Sequence, residues 1–319
     1  AATIETYAFR MVHVAFILVL GFLALPFSPK ANKWLNGIDI LLALVGIAAI
    51  VYSLYDLDQF IRRSTLPETW DMVFGIVTIL MLVELSRRTV GTAFTLVLVG
   101  FLLYACFGNY IPGPLAHKGY DLDRIVGHMT MTLEGVFGVP ISVSVSFVML
   151  FVVYGVFMDA AGAGRFWLDM SLSVMGRSSA SAGRGAVVTT ALLGGPQASG
   201  VATTMSVTPI MWPILRQAGY TPDMAAGLIS AGGIGAVISP PLMGAGAFLI
   251  MQFLKISFWD VVVMVSMPTL LYYIGTLVMV ELEARKMNFN PPKEVAQPVW
   301  QVLRKQGYHL ISLVVLIAL

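Results

Sequence analysis

Charge is scarce in this sequence: of 319 residues only 11% are charged, against 58% that are hydrophobic. An ordinary soluble domain carries about 25% charged residues. With so few polar groups, and a mean hydropathy of +0.84, the chain cannot cover its surface in water, and lipid must be the solvent for much of it. The charges nearly cancel, to a formal +2, so no broad basic field points to a nucleic-acid partner. Cysteine is almost missing. Cys106 alone excludes an intramolecular disulfide and a thiolate-rich metal site, and in its apolar run it reads as a small buried hydrophobe. His13, His117, His128 and His309 are scattered without ligand spacing, so no resident metal or other cofactor is expected. No Ser-His-Asp or paired-carboxylate arrangement stands out, and no Walker-type phosphate loop is present.

What is present is a series of apolar runs. Four come first, at about 11–27, 36–55, 70–85 and 89–107. Each is long enough, or nearly so, to cross about 30 Å of hydrocarbon at about 1.5 Å per residue. Their connections are short: Pro26 to Lys33, Asp56 to Glu68, and Arg87-Arg88. The expected arrangement is a four-helix membrane module over 1–110. A breaker cluster, Gly108 to Pro114, follows. From Asp121 to Glu134 the residues Leu122, Ile125, Val126, Met129 and Leu133 recur at nearly helical spacing, which predicts an interfacial amphipathic helix linking two modules at 111–135. Further crossings are expected at about 138–158 and 259–281. Trp34, Trp70 and Trp167 lie near segment ends, where interfacial anchors belong. Arg87, Arg88 and Glu84 are read as a solvated helix end, with pairing across a module interface as the alternative.

The sequence opens at Ala1 without Met or a basic leader region, which argues against a signal peptide. It closes within the apolar run 310–319, too short to span, so a longer parent chain continuing past Leu319 is expected.

Between Ala186 and Leu254 the apolar pattern is interrupted twice. Gly194-Gly195-Pro196-Gln197-Ala198-Ser199-Gly200 divides 186–215 into flanks of about 10–15 residues, which predicts a re-entrant hairpin over about 183–216. Ser239-Pro240-Pro241, preceded by Gly232, Gly233 and Gly235, breaks the segment from about 222 to 256, because proline removes an amide donor and clashes with the preceding turn. Glycine in membrane helices more often serves close packing, and Ser-Pro-Pro alone can be a kink. Two neighbouring interruptions lined with Ser, Thr and Gln favour a site instead. Unpaired carbonyls there suit a small desolvated cation, and half-helix N-termini suit a carboxylate. At least half of the hydroxyls of Thr203, Thr204, Ser206 and Thr208 are expected to bond back to their own helix. Arg177, Arg184 and Arg216 flank the hairpin. With Arg285, Lys286, Lys293, Arg304 and Lys305 they place its root on the cytoplasmic side, while the orientation of the first four segments stays open.

From Gly135 to Arg285 the sequence resembles the large membrane subunit of tripartite ATP-independent periplasmic (TRAP) transporters. The resemblance is to the fused small-plus-large permease that works with TAXI-type binding proteins. Gly135-Val136-Phe137-Gly138-Val139-Pro140, Gly155, Gly162-Ala163-Gly164, Ser199-Gly200-Val201-Ala202, Pro213 to Arg216 with Gly219-Tyr220, Pro240 to Phe248, and Leu270-Leu271-Tyr272-Tyr273 carry it. The first 110 residues match only in architecture. The family's usual hairpin tip of Ser-Gly-Ser-Ser stands here as Gln197, Ala198, Ser199 and Gly200. Its polar residues before the paired prolines are replaced by Gly233, Ile234, Gly235, Ala236 and Val237.

The resemblance implies an all-α, multi-pass protein of the bacterial inner membrane, working as an elevator-type carrier. Residues 136–319 would form the N-terminal half of the large subunit. It implies coupling to sodium, with protons as the alternative. The substrate would be a small organic acid, dicarboxylate or amino-acid-like, delivered by a periplasmic TAXI-type binding protein. Gln197, Ser199 and Thr203 of the hairpin, with Gly233, Gly235, Ser239 and Pro240 of the broken helix, are the candidate ion and substrate ligands. Gly195, Pro196, Gly200 and Pro241 are the candidate loop-shaping residues. Two other classes compete: a membrane scaffold subunit, which would not need two adjacent breaks, and an intramembrane enzyme, which would need a dyad or metal ligands at mid-depth.

Overall fold

The computed structural model of the chain describes residues 2–27, 33–174, 178–197, 199–240, 243–287, 289–290, 298–311 and 314. Every regular element among them is helical. Helices are what a lipid-embedded chain requires, since they satisfy backbone groups within one segment. Six stretches are long and apolar enough to cross a membrane: Glu5–Ala24, Gly37–Tyr55, Thr69–Thr89, Thr92–Tyr110, Val139–Met158 and Phe258–Met287. The chain divides into two compact units, Ala1–Val145 and Ser146–Leu319.

The first unit contains α1 (Ala2–Ala24), α2 (Lys33–Tyr55), α3 (Leu57–Arg62), α4 (Thr69–Thr89), α5 (Thr92–Phe107), α6 (Leu122–Met131) and α7 (Val139–Val143). Met11, Val14, Leu18 and Phe22 recur every three or four residues on α1, and they are buried with Ala43 and Ile50 of α2 and Leu85 of α4. Helix α1 starts well before the apolar run at residue 11. Arg10 donates to the carbonyl of Phe137 at 2.7 Å, and His13 Nε2 lies 2.9 Å from Ser144 Oγ, so its polar residues are satisfied without leaving the helix. Helix α6 buries Val126, Gly127, Thr130 and Met131, and Gly75 of α4 lies directly against Val126 and Thr130. Leu122, expected on the apolar face, is exposed.

Two buried ion pairs pin this unit. Asp71, fully buried, accepts from Arg63 Nε at 2.8 Å, the Tyr52 hydroxyl at 2.9 Å and the Glu68 amide at 3.0 Å. Those contacts join α2, α4 and the turn after α3. Arg63, outside the spans, has its pKa raised, first by that hydrogen bond to Asp71. Arg88 corrects the expectation of a solvated helix end. Its side chain is 2% exposed and reaches Asp39 Oδ1 at 2.7 Å, Glu84 Oε1 at 2.8 Å and the Leu25 carbonyl at 2.8 Å. The ring of Phe22 lies 4.8 Å from its guanidinium carbon. A charge so placed is tolerable only with its partners at hand.

The second unit opens with α8 (Met149–Ala160), preceded in the chain by a π-helical turn at Ser144–Val148. It comprises α9 (Ala163–Val174), α10 (Ser181–Gln197), α11 (Gly200–Ala218), α12 (Pro222–Ala236), α13 (Ala245–Leu254), α14 (Phe258–Met287) and α15 (Val299–Gln306). Its core gathers Phe166 and Trp167 of α9, Ala186 and Leu193 of α10, Val207, Met211 and Leu215 of α11, and Ile229 of α12. Trp167 is therefore a core residue rather than an interfacial anchor, whereas Trp70 is exposed at the start of α4. The side chain of Trp34 lies outside the described residues. Phe248 of α13 stacks with Phe147, Phe151 and Phe258 at 5.3, 5.2 and 5.5 Å.

Removing one partner of a buried pair leaves the other charge without compensation, at a cost of ~3–5 kcal/mol. Arg88→Met is therefore expected to lower the unfolding midpoint of the purified protein in detergent. The double variant Asp39→Leu/Arg88→Met is expected to lose less than the single one. A thermal melt of the variants side by side checks this.

Candidate functional site

Helices α10 and α11 form an antiparallel hairpin whose interruption is narrower than the sequence suggests. The helical backbone of α10 runs through Gly194, Gly195 and Pro196 to Gln197. Gly195 and Pro196 thus belong to its last turn and not to a loop; Pro196 brings no amide to the Leu192 carbonyl, so the helix gives up one hydrogen bond just before it ends. The side chains of Gly195, Pro196 and Gln197 lie outside the described residues, as does Ala198. Ser199 is the N-cap of α11, and its Oγ accepts from the Ala202 amide at 3.3 Å. The arms, 17 and 19 residues long, exceed the 10–15 expected. Pro209 and Pro213 sit inside α11; their missing amides leave the carbonyls of Met205 and Pro209 without their usual helical donors.

Helix α12 is regular through Gly232, Gly233 and Gly235, so these glycines do not loosen it. It tightens only at its end. The amides of Val237, Ile238 and Ser239 bond to the carbonyls of Ile234, Gly235 and Ala236, each three residues back. Pro240 cannot donate, and Met243 and Gly244 are non-helical ahead of α13, which Gly244 caps, with the Gly244 amide closing onto the Val237 carbonyl at 2.8 Å. Pro241 lies outside the described residues.

The hairpin tip and this break meet. A Cβ at Gly194 would collide with Ala236, one at Gly200 would stand 2.6 Å from the Gly233 carbonyl, and one at Gly233 would collide with Thr204 Oγ1. Gly232 bears on Thr190 in the same way, and Gly235 on Tyr273 and Tyr272 of α14. Those tyrosines fall at the midpoint of the 30-residue α14. A helix of that length crosses the whole bilayer at about 1.5 Å per residue. The end of α12 therefore packs beside the middle of this candidate span.

Ser199, Gly200, Thr203, Gly233, Gly235 and Ser239 are brought to this junction, with Pro240 following Ser239. Their hydroxyls differ. Thr204 bonds back to Gly200 at 2.8 Å and Thr208 to Thr204 at 2.6 Å. Ser239 Oγ donates to the Gly235 carbonyl at 2.8 Å. Thr203 Oγ1 and Thr189 Oγ1 are buried without a hydrogen-bond partner among the described residues. Such a group carries a desolvation cost of ~1–3 kcal/mol, which a bound ion or water would offset. The junction also gathers the carbonyl ends of α10 and α12 and the amide end of α11, so fixed partial charges of both signs converge there.

Sequence reasoning did not place α14 in the site. Thr269 Oγ1 lies 2.7 Å from the Ile238 carbonyl and 2.8 Å from the Val265 carbonyl of its own helix, Tyr272 donates to the Ala231 carbonyl at 2.6 Å, and the Tyr273 hydroxyl lies 3.0 Å from Ser239 Oγ. The available signal was two phenols in the middle of an otherwise apolar span. At the root, Arg184 forks onto Glu281 of α14 with contacts of 2.8–2.9 Å. Beside it Tyr220 stacks on Phe289 at 3.9 Å. Burial, then Glu283 and Glu281, push the Tyr220 phenol up to about 12, so it stays neutral at any physiological pH. A crevice of about 680 Å³ follows the other side of α11 from Gln217 to Ser206, against Arg165 and Asp169 of α9. The side chain of Asp159, the other residue flanking the turn before α9, lies outside the described residues.

Interrupted helices meeting inside a multi-pass bundle define a class of membrane protein that handles a polar species within the bilayer. The family is narrower still. Residues 77–319 match the model described as "Tripartite ATP-independent periplasmic transporter, DctM component", and the chain belongs to that family. It is 32% identical over 116 residues to the 2,3-diketo-L-gulonate TRAP transporter large permease protein YiaN of Escherichia coli (strain K12), covering 36% of this chain and 27% of that one. It is 28% identical over 100 residues to a putative TRAP transporter large permease protein of Haemophilus influenzae (strain ATCC 51907 / DSM 11121 / KW20 / Rd), covering 31% and 24%. The matches span about a quarter of the length of these curated relatives. The family is an integral inner-membrane transporter permease and not an enzyme.

Overpacking a tight contact costs ~1–3 kcal/mol. Gly233→Ala, which drives a methyl into Thr204, is expected to lower the melting temperature of the purified protein. Gly227→Ala, with nothing within 4 Å of the added methyl, is expected to be neutral or stabilising by up to about 1 kcal/mol.

Proposed function

We propose that this chain belongs to a fused TRAP permease of the TAXI type, an ion-coupled secondary transporter that imports a small organic acid handed over by a periplasmic binding protein. The observation that carries the reading is the meeting of the hairpin tip and the α12–α13 break at the middle of α14. Two adjacent interruptions at mid-depth serve a ligand, because irregular backbone is tolerated there only when buried or lining a polar cavity. In this reading sodium sits among the backbone carbonyls of the tip and the break, with protons as the alternative coupling ion. Gln197, Ser199, Thr203, Gly233, Gly235, Ser239 and Pro240 surround it. The buried, unpartnered Thr203 hydroxyl is the side-chain oxygen best placed to gain from a cation.

The substrate carboxylate takes the α11 N-terminus, whose amides and dipole favour an anion. The crevice along α11, from Ser206 to Gln217 at the root, is lined mostly by apolar side chains with Arg165, Asp169 and Gln217 among them, and in this reading it leads toward the cytoplasm. The fused arrangement is supported by α1 and α2, two membrane-length helices that precede the matched region. The TAXI type rests on the sequence resemblance. An elevator movement of the hairpin unit completes the mechanism.

Full-length permease reconstituted with its binding protein and an inward sodium gradient is expected to accumulate an organic acid. Removing either should abolish uptake. Ser199→Ala and Ser239→Ala should each reduce the coupled rate roughly tenfold with normal expression, about the effect of losing one transition-limiting polar contact. Uptake kinetics in both variants equal to wild type would remove these residues from the site.

A further inference from the structure

Ser239 lies at the break and is 4% exposed. A serine hydroxyl has one proton and two acceptor positions. The proton goes to the Gly235 carbonyl, 2.8 Å away. The Tyr273 hydroxyl, 3.0 Å from the same oxygen, is therefore the donor in that pair. Tyr273 takes up one of the two positions through which Ser239 Oγ can bind anything else. The Thr269 hydroxyl lies 2.7 Å from the Ile238 carbonyl and 2.8 Å from the Val265 carbonyl of its own helix, and its one proton serves one of the two. At Tyr273, helix α14 thus lays a proton on the Ser239 oxygen.

We propose that Tyr273 is a positioning residue that sets the strength of cation binding at the break. Its hydroxyl proton competes with a cation for Ser239 Oγ, and the outcome of that competition fixes the ion concentration at which the site fills. This rests on the reading of the break as a cation site. A site of neutral oxygens without such a competitor holds its ion tightly and releases it slowly. With one, the ion binds more weakly and departs with less resistance, because the proton takes its place at the oxygen. A carrier must release its ion on every cycle, so the weaker grip favours turnover.

The test uses purified full-length permease, its thermal stability followed as sodium chloride replaces choline chloride at constant ionic strength. Wild type is expected to be stabilised by sodium with a measurable midpoint. Tyr273→Phe keeps the ring and removes the proton, and should move the midpoint to a lower concentration by about fivefold, the worth of one neutral hydrogen bond. In a Ser239→Ala background the same change should have no further effect. Thr276→Val, which removes a hydroxyl that bonds to the Tyr272 carbonyl of its own helix, should leave the midpoint alone; a merely structural role of Tyr273 would not separate these two variants. If Tyr273→Phe does not fold, 3-fluorotyrosine at position 273 reads the same competition with the opposite sign, as a stronger donor of the same shape. A sodium response in wild type with an unchanged or higher midpoint in Tyr273→Phe overturns the role of Tyr273 alone. A wild type indifferent to sodium overturns the cation site, and this proposal with it.

Discussion

A peptide group in hydrocarbon has no water to turn to, and each unsatisfied one costs several kcal/mol. The second unit is organised around that constraint. Its helices are interrupted where α10 passes into α11 and where α12 passes into α13, with Gly232, Gly233, Gly235 and Ser239 buried beside those interruptions. The loosened backbone is supplied from three directions: by its own short turns, by the Gly244 amide and by the hydroxyls of α14. Glycine makes the enclosure possible. Gly194, Gly200, Gly232 and Gly233 let the hairpin and α12 approach so closely that no side chain fits between them. At these contacts the backbone of the hairpin packs directly on that of α12.

Charge obeys the same logic in the first unit. Asp71 takes donors from a side-chain guanidinium, a phenol and a backbone amide. Arg88 is shared between two carboxylates and a carbonyl. Each ion joins three chain segments, so the cost of burying it is met by contacts that also fix how those segments pack.

Much of this was legible in the sequence. The six long apolar stretches follow from length and hydropathy, and both interruptions follow from proline and glycine chemistry. Gly200 packs on Gly233 and Val237, and Ser239 on Gly235 and Tyr273, because these residues flank those interruptions. What the sequence could not convey was distance across the bundle. Arg88 read as a solvated helix end because its partner Asp39 lies 49 positions away on another helix. Thr269 and Tyr273 read as parts of an ordinary span because the residues they serve are 31 and 34 positions distant. The hairpin arms are longer than Gly194-Gly195-Pro196 suggests because α10 keeps those residues helical to Gln197 at the cost of one amide donor. Trp167 was misplaced for a related reason: position near a segment end says nothing about which neighbour folds over it.

The hairpin is fastened to α14 at two heights. Near the root the link is Arg184 with Glu281, and at the level of the tip it passes through α12, whose Gly235 and Ser239 touch Tyr273. Glu281 lies eight residues beyond Tyr273 in the sequence, so the two attachments are about 12 Å apart along the helix. Two separated fastenings resist rotation as well as sliding. Helix α14 therefore acts as a splint: any excursion of the tip toward one face of the bilayer has to take the α12–α13 break and a full membrane-spanning rod along with it.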